Sequence, residues 1–187
     1  YVRRQINGWN ARFGKARTDD VEKFEDVCSW LQASIPEESG RHAILHGDYR
    51  IDNVILGNDD PSRIVAVLDW EICARGDPLM DLGNRLAYLI ERSDPWLLKF
   101  MRLQPTTLKG MLTRDEVVDY YCSRRGIAVE GLDYYSVYGI FRLVVILQQI
   151  YYRYYHGQTR TKRFGRFIWL VKYLEKYLER MIRASSR

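Results

Sequence analysis

Strand signal in this chain is confined to residues 43–68, and that confinement excludes most folds open to a chain of this length. Ala43-Ile44-Leu45 reads as a short buried strand running into a loop at His46. Asn53-Val54-Ile55-Leu56 and Ile64-Val65-Ala66-Val67-Leu68, separated by the turn residues Gly57-Asn58-Asp59-Asp60-Pro61, read as a β-hairpin. No other strand is convincing. An α/β hydrolase or a doubly wound nucleotide-binding domain needs strands alternating with helices, so both are excluded.

The remainder reads as helix. Asp19 followed by Glu22 has the form of a capping box. It precedes Val21, Phe24, Val27, Cys28, Leu31 and Ile35 at helical spacing, with Pro36 after the stop. Leu79, Leu82, Leu86, Leu89 and Ile90 mark a helix after Pro78. Thr113 with Glu116 forms a second capping box, for a helix that Gly126 closes. The segment from about Asp133 to Tyr155 is apolar on nearly all sides, which predicts a central buried helix. A final amphipathic helix carries Phe164, Phe167, Leu170, Val171, Leu174, Tyr177, Leu178 and Met181. The expected fold class is α+β, mainly helical: a helical body holding one small hairpin.

Bulk properties narrow the chemistry. With 47% hydrophobic and 13% aromatic residues among 187, the chain can bury a sizeable core. The formal net charge is +5, with basic excess at Arg3, Arg4, Arg12, Lys15 and Arg17 and again from Arg153 to Arg187. Such charge attracts phosphorylated ligands, although solvated helix faces account for it more simply. The run Arg160-Thr161-Lys162-Arg163 likewise reads as the start of an amphipathic helix, and no nucleic-acid partner is expected. Cys28, Cys73 and Cys122 are widely spaced and odd in number, which argues against a disulfide framework and suits a reducing cytoplasm. Three histidines are too few for a structural zinc or a two-metal phosphatase centre. The most apolar segment, Val137 to Ile150, is interrupted by Arg142 and is shorter than the roughly 20 residues of a membrane span.

The candidate chemistry lies in the loop and the hairpin. Asp48 and Asn53 stand five positions apart, and Asp69 follows the second hairpin strand. Transfer of a γ-phosphoryl group needs an acceptor oxygen aimed in line and cations held against developing negative charge. A carboxylate at Asp48 suits the role of base toward a hydroxyl. The Asn53 carboxamide and the Asp69 carboxylate supply the hard oxygens that Mg²⁺ prefers. The competing reading makes Asp48 and Asn53 turn caps and Asp69 a strand end. It requires three separate turn residues to mimic one site.

The stretch Leu45-His46-Gly47-Asp48-Tyr49-Arg50-Ile51-Asp52-Asn53, with Ala66-Val67-Leu68-Asp69-Trp70-Glu71 and Gly76-Asp77-Pro78-Leu79-Met80-Asp81-Leu82, resembles the aminoglycoside phosphotransferase family. More narrowly, it is similar to the branch whose kinase-like domain is fused to, or related to, certain acyl-CoA dehydrogenases. The resemblance implies a kinase-like fold, ATP as phosphoryl donor and a small-molecule hydroxyl as acceptor. By position it implies Asp48 as base, Asn53 and Asp69 as magnesium ligands that also hold the nucleotide, and His46 as a structural member of the loop. Asp81 is expected either to brace that loop through backbone hydrogen bonds or to serve as a plain first-turn helix acid. Arg50 is expected to pair with Asp52 or Glu71 rather than to screen the incoming phosphate. Trp70 and Glu71 depart from the Asp-Phe-Gly pattern of kinases.

Part of a kinase is missing. None of the 13 glycines falls into Gly-x-Gly-x-x-Gly, and no lysine lies on a Val/Ile-rich strand before His46. Residues 1–187 are therefore expected to be the C-terminal lobe, without the N-terminal ATP-binding lobe, inactive alone and prone to self-association. The helices from about Asp94 to Tyr155 are expected to shape the acceptor pocket, most of their tyrosines packing in the core. Acidic residues are scarce in Tyr134–Arg166, which disfavours a polycationic acceptor. The alternative function is a non-catalytic kinase-like binding or regulatory module.

Overall fold

The computed structural model describes residues 1–37, 42–102, 104–128 and 131–185; Arg187, the end of the expected basic run, lies outside them. The chain begins with helices α1 (Val2–Ala16) and α2 (Glu25–Ala33). Four strands follow: β1 (Ala43–Leu45), β2 (Val54–Leu56), β3 (Ile64–Val67) and β4 (Ala74–Gly76). Helices α3 (Pro78–Tyr88), α4 (Trp96–Met101), α5 (Arg114–Arg125), α6 (Leu132–Tyr155), α7 (Lys162–Gly165) and α8 (Phe167–Ser185) complete it. The mainly helical α+β class is as expected. The chain divides into two compact units, Tyr1–Glu37 with Gly131–Arg187, and Glu38–Glu130.

The first unit is a helical bundle built around α6. That helix buries residues on nearly every side, including Val137, Phe141, Val144, Val145 and Gln148 at 0% exposure, as its uniform apolarity predicts. Helices α1, α2, α7 and α8 pack against it. In α8 the buried positions Phe167, Leu170, Val171, Leu174 and Leu178 recur at the three- and four-residue spacing of one face. The expected final helix is in fact two: it breaks at Arg166, after Gly165 passes the Tyr154 ring so closely that a Cβ would come within 2.5 Å of Cε1.

The start of α2 corrects the expected capping box at Asp19 and Glu22. The helix begins only at Glu25, and its N-cap Phe24 has left-handed backbone (φ 56°) and makes no side-chain cap. Tertiary contacts displace the cap. Phe24 is drawn into the core against Phe13 (ring centroids 4.9 Å) and Phe141 (6.5 Å), while the neighbouring Asp20 accepts a hydrogen bond from Tyr151 at 2.7 Å. Burying an aromatic ring outweighs the roughly 1 kcal/mol a cap contributes. Gln148 performs a related service across the bundle. Its Nε2 donates to the Ala16 carbonyl at the end of α1 (2.9 Å) and to Thr18 (3.1 Å), satisfying a helix terminus from inside the core.

The second unit holds two small antiparallel sheets. Strands β2 and β3 form the expected hairpin, with Val54 opposite Val67 and Ile55 opposite Ala66. The other sheet pairs β1 with β4, Leu45 facing Ala74. Strand β4 was not expected: Ala74-Arg75-Gly76 has no apolar alternation, and only its pairing partner makes it a strand. The expectation of buried strands is also corrected. Leu45 is buried, but Ile44 is 76% exposed, and Ile55, Leu56, Ile64 and Val65 are exposed at 39–50%. Downstream, α5 has the predicted capping box, Thr113 and Glu116 each bonding the other's backbone, and ends at Gly126 in left-handed geometry. Helix α4 carries too few turns to announce itself by periodicity.

Candidate active site

Strand β1 delivers the chain into a loop whose geometry is set by Gly47. With φ at +82°, this residue occupies left-handed backbone, and a Cβ there would stand 3.0 Å from Cδ1 of Ile72. Only glycine meets both conditions without strain. The loop is braced from below by Asp81 in the first turn of α3. Its Oδ2 accepts the His46 amide at 2.6 Å and its Oδ1 the Gly47 amide at 2.9 Å. The two expected readings of Asp81 coincide, because a carboxylate at a helix N-terminus is both favoured there and aimed at the loop.

His46 links the loop to the end of the hairpin. The ring is buried (4% exposed); its Nδ1 accepts the Asp48 amide at 3.2 Å, and its Nε2 lies 2.6 Å from the Leu68 carbonyl. An amide can only donate, so Nδ1 is the acceptor, and Nε2 carries the hydrogen given to Leu68. One imidazole thus ties the backbone of Asp48 to the residue before Asp69. Trp70 covers it, with ring centroids 4.7 Å apart and its own Nε1 donating to the Val67 carbonyl at 2.9 Å.

Asn53 makes the second link. It is buried (5% exposed), and its Nδ2 donates to the Asp48 carbonyl at 2.8 Å and to Asp48 Oδ2 at 3.2 Å. Committing the NH₂ group to Asp48 fixes which way the amide faces and leaves Oδ1 on the other side for a cation. The Leu68 amide donates to the Asn53 carbonyl at 2.8 Å, so hairpin pairing carries Asp69 to the same end of the sheet as Asn53. Asp69 itself has left-handed backbone (φ 61°), and among the described residues its exposed carboxylate makes no hydrogen bond or ion pair. The loop therefore joins Asn53 directly to Asp48, and the hairpin sets the Asp69 backbone one residue beyond the Leu68 that pairs with Asn53.

Among the described residues no three His, Cys, Asp or Glu side chains cluster as a metal centre. The donor pair here is one carboxylate and one carboxamide, oxygen donors that fit Mg²⁺. That ion keeps several waters and takes substrate phosphates to complete its shell.

Arg50 pairs with Asp52 (3.7 Å), one of its two expected partners, and in addition with Asp48 itself (3.1 Å to Oδ2), which was not expected; its guanidinium lies 5.1 Å from the Tyr88 ring centroid. Among the described residues it makes no ion pair with Glu71. Oδ2 of Asp48 is thus held by both Arg50 and Asn53, and Oδ1 is the oxygen left over. Arg85, which carried no motif, lies nearby: burial pulls its pKa below the ordinary value, opposed by Tyr49 and Asp52 and reinforced by Arg50. A half-buried arginine outside any motif has no sequence signal beyond one basic residue in an apolar helix.

Of the nine tyrosines expected to divide between pocket and core, four lie in the core of the bundle, while Tyr121, Tyr152 and Tyr154 are only half-buried. Tyr134, Tyr135, Tyr138 and Tyr151 are buried at 2–7% exposure, whereas Tyr120 and Tyr155 are exposed. Among the described residues no helix is long and apolar enough to cross a membrane.

Comparison with known proteins follows the same lines. The model of the phosphotransferase enzyme family matches residues 1–111. The mouse acyl-CoA dehydrogenase family member 10 is 34% identical over 163 residues, covering 86% of this chain. The chicken (Gallus gallus) acyl-CoA dehydrogenase family member 11 is 30% identical over 194 residues and covers 99% of it. This chain spans only 15% and 24% of those two proteins' lengths. Among solved structures, one from Ralstonia eutropha JMP134 assigned as an aminoglycoside phosphotransferase superposes with a TM-score of 0.80 at 25% identity, covering 98% of this chain and 56% of that one.

Proposed function

Because the chain belongs to the phosphotransferase enzyme family, we propose that it is the catalytic lobe of a magnesium-dependent phosphotransferase that moves the ATP γ-phosphoryl group to a small-molecule hydroxyl. The single observation that carries this reading is the held carboxylate of Asp48. Arg50 and Asn53 grip Oδ2 at 3.1 and 3.2 Å, which leaves Oδ1 to take the hydroxyl proton. The acceptor oxygen then bonds to the γ-phosphorus as the bridging P–O bond breaks, and ADP departs with the bond's electrons.

Asn53 Oδ1 and the Asp69 carboxylate would hold the metal. Bound there, Mg²⁺ supplies neutralisation of the phosphate charge. The chain's own contribution is positioning: Asp81 sets the loop, His46 joins it to the hairpin, and Asn53 orients the base. The apolar hairpin residues Ile55, Leu56, Ile64 and Val65, all exposed, are the kind of surface a further lobe covers. We assign the missing ATP grip to such an N-terminal lobe, and expect no turnover from residues 1–187 alone. Three free cysteines suit a reducing, cytoplasmic setting.

The deciding experiment screens a metabolite library for ATP-dependent phosphorylation by the longer parent protein, wild type against Asp48→Asn. Loss of a general base predicts a fall of about 10²–10⁴ in kcat. Unchanged turnover in the variant rules the reading out. The alternative, a kinase-like binding module without turnover, has one feature in its favour: the Asp48 carboxylate already has a cationic partner in Arg50. It predicts no phosphorylated product from wild type or variant, even when ATP and Mg²⁺ bind.

A further inference from the structure

A second polar site lies in the same unit, after α4. Arg102, Gln104, Pro105, Thr107 and Leu108 line a cleft of about 250 Å³. That volume sits just below the range of whole small-molecule pockets and suits one end of a ligand.

Gln104 is the informative residue. It is 3% exposed, and its Oε1 accepts from Arg85 at 3.3 Å, while its buried Nε2 has no hydrogen-bond partner. Turning the amide over would point its NH₂ at the Arg85 guanidinium, donor against donor, so the orientation is fixed by chemistry. An unmade buried N–H is destabilising, and such groups persist where something else supplies the acceptor.

Arg102 adds a cationic donor to a lining that also includes the apolar Pro105 and Leu108. Arg102 gives one N–H to the Lys99 carbonyl at 2.9 Å and keeps the other donors of its guanidinium. Among the described residues no carboxylate lines the cleft. The segment that carries the lining is anchored between Pro105 and Thr107, where Thr106, 4% exposed, donates to the Ile90 carbonyl at 2.7 Å. Arg85 connects this cleft to the candidate active site, since it bonds Gln104 and feels the charges of Tyr49, Asp52 and Arg50.

We propose that the cleft at Gln104 and Arg102 is an oxyanion subsite, which takes the carboxylate or phosphate end of the acceptor whose hydroxyl is presented to Asp48. The link to Asp48 rests on the phosphotransferase reading; the binding of an anion does not.

The test uses this chain labelled with ¹⁵N, without nucleotide, and follows the Gln104 side-chain amide during titration with butyrate, n-butyl phosphate or butan-1-ol. The proposal expects a saturable shift with one or both anions and none with the alcohol. Whichever anion saturates at lower concentration identifies the group. Gln104→Glu, which places a negative charge on the lining, and Arg102→Ala should each weaken anion binding by about tenfold, the scale of one charge-assisted hydrogen bond. Arg102 is exposed, so its variant remains informative should Gln104→Glu fail to fold. Equal shifts with butan-1-ol, no shift with either anion, or native affinity in Arg102→Ala would each overturn the subsite. Because no nucleotide is present, a negative result leaves the Asp48→Asn assay standing, and a failed phosphorylation screen leaves the anion titration standing.

Discussion

The core of the helical bundle and the hairpin with its adjoining loop present their apolar and polar side chains differently. In the bundle, Phe141, Val144, Val171 and Leu178 are at 0% exposure, and its polar groups serve the core, as Gln148 does at the end of α1. In the other unit the apolar hairpin residues face solvent, while His46 and Asn53 are buried at 4% and 5%. One region derives its order from packed area, the other from a network of directed hydrogen bonds. The lesson is that an apolar strand need not be a core strand. A buried histidine and asparagine mark where geometry matters more than burial.

That contrast can be broken by substitution, and the largest effect belongs to the bundle. Phe141→Ala removes a ring that contacts both Phe13 and Phe24 and should cost about 3–5 kcal/mol in denaturant unfolding. A loss under 1 kcal/mol would mean the core is not centred there. Next is Asp81→Ala, which leaves the His46 and Gly47 amides without their acceptor. We expect a loss of roughly 2–3 kcal/mol confined to the loop, read as faster hydrogen exchange at those two amides with α6 unaffected. Equal loosening of α6 would show that the loss is not confined to the loop.

Gly47→Ala separates conformational strain from steric clash. It should cost about 1–3 kcal/mol from the positive φ, and Ile72→Ala in the same chain should relieve the contact but not the strain. Full recovery in the double variant would assign the whole cost to Ile72.

A smaller effect is chemical. Burial, with Glu25 adding to it, pushes the Cys28 thiol up to about 11. The folded pKa stands above the unfolded one, so its contribution to stability is fully present below the unfolded value and is lost as pH rises toward 11. At pH 8 the exposed Cys73 should therefore alkylate first and Cys28 later, resolved by mass spectrometry of the modified peptides. The reverse order would contradict the described burial.

The smallest effect on stability is expected at the hairpin. Val65→Glu, at a half-exposed position, should change unfolding by no more than about 0.5 kcal/mol yet reduce any self-association seen by sedimentation. A large destabilisation would show that this face is already packed within the chain.

Several features of fold and site were legible in the residues alone because they depend on neighbours a few positions away. The Thr113–Glu116 box, the Gly126 stop and the turn between β2 and β3 each close over a handful of residues. The uniform apolarity of α6 had only one solution, burial. The grouping of Asp48 with Asn53 was equally local, five positions apart along one loop.

Long-range contacts decided the rest. Asp20 answers Tyr151 from 131 positions away and Gln148 reaches back 132 positions to Ala16, so nothing near Asp19 could announce that its capping box would not form. Strand β4 exists because β1 offers it hydrogen bonds, and Arg50 turns to Asp48 rather than Glu71 because the loop places that carboxylate 3.1 Å from its guanidinium. Propensity and capping are written in spacing. Which of two nearby charges an arginine meets, and which apolar face is left to solvent, is set by packing that only the folded chain provides.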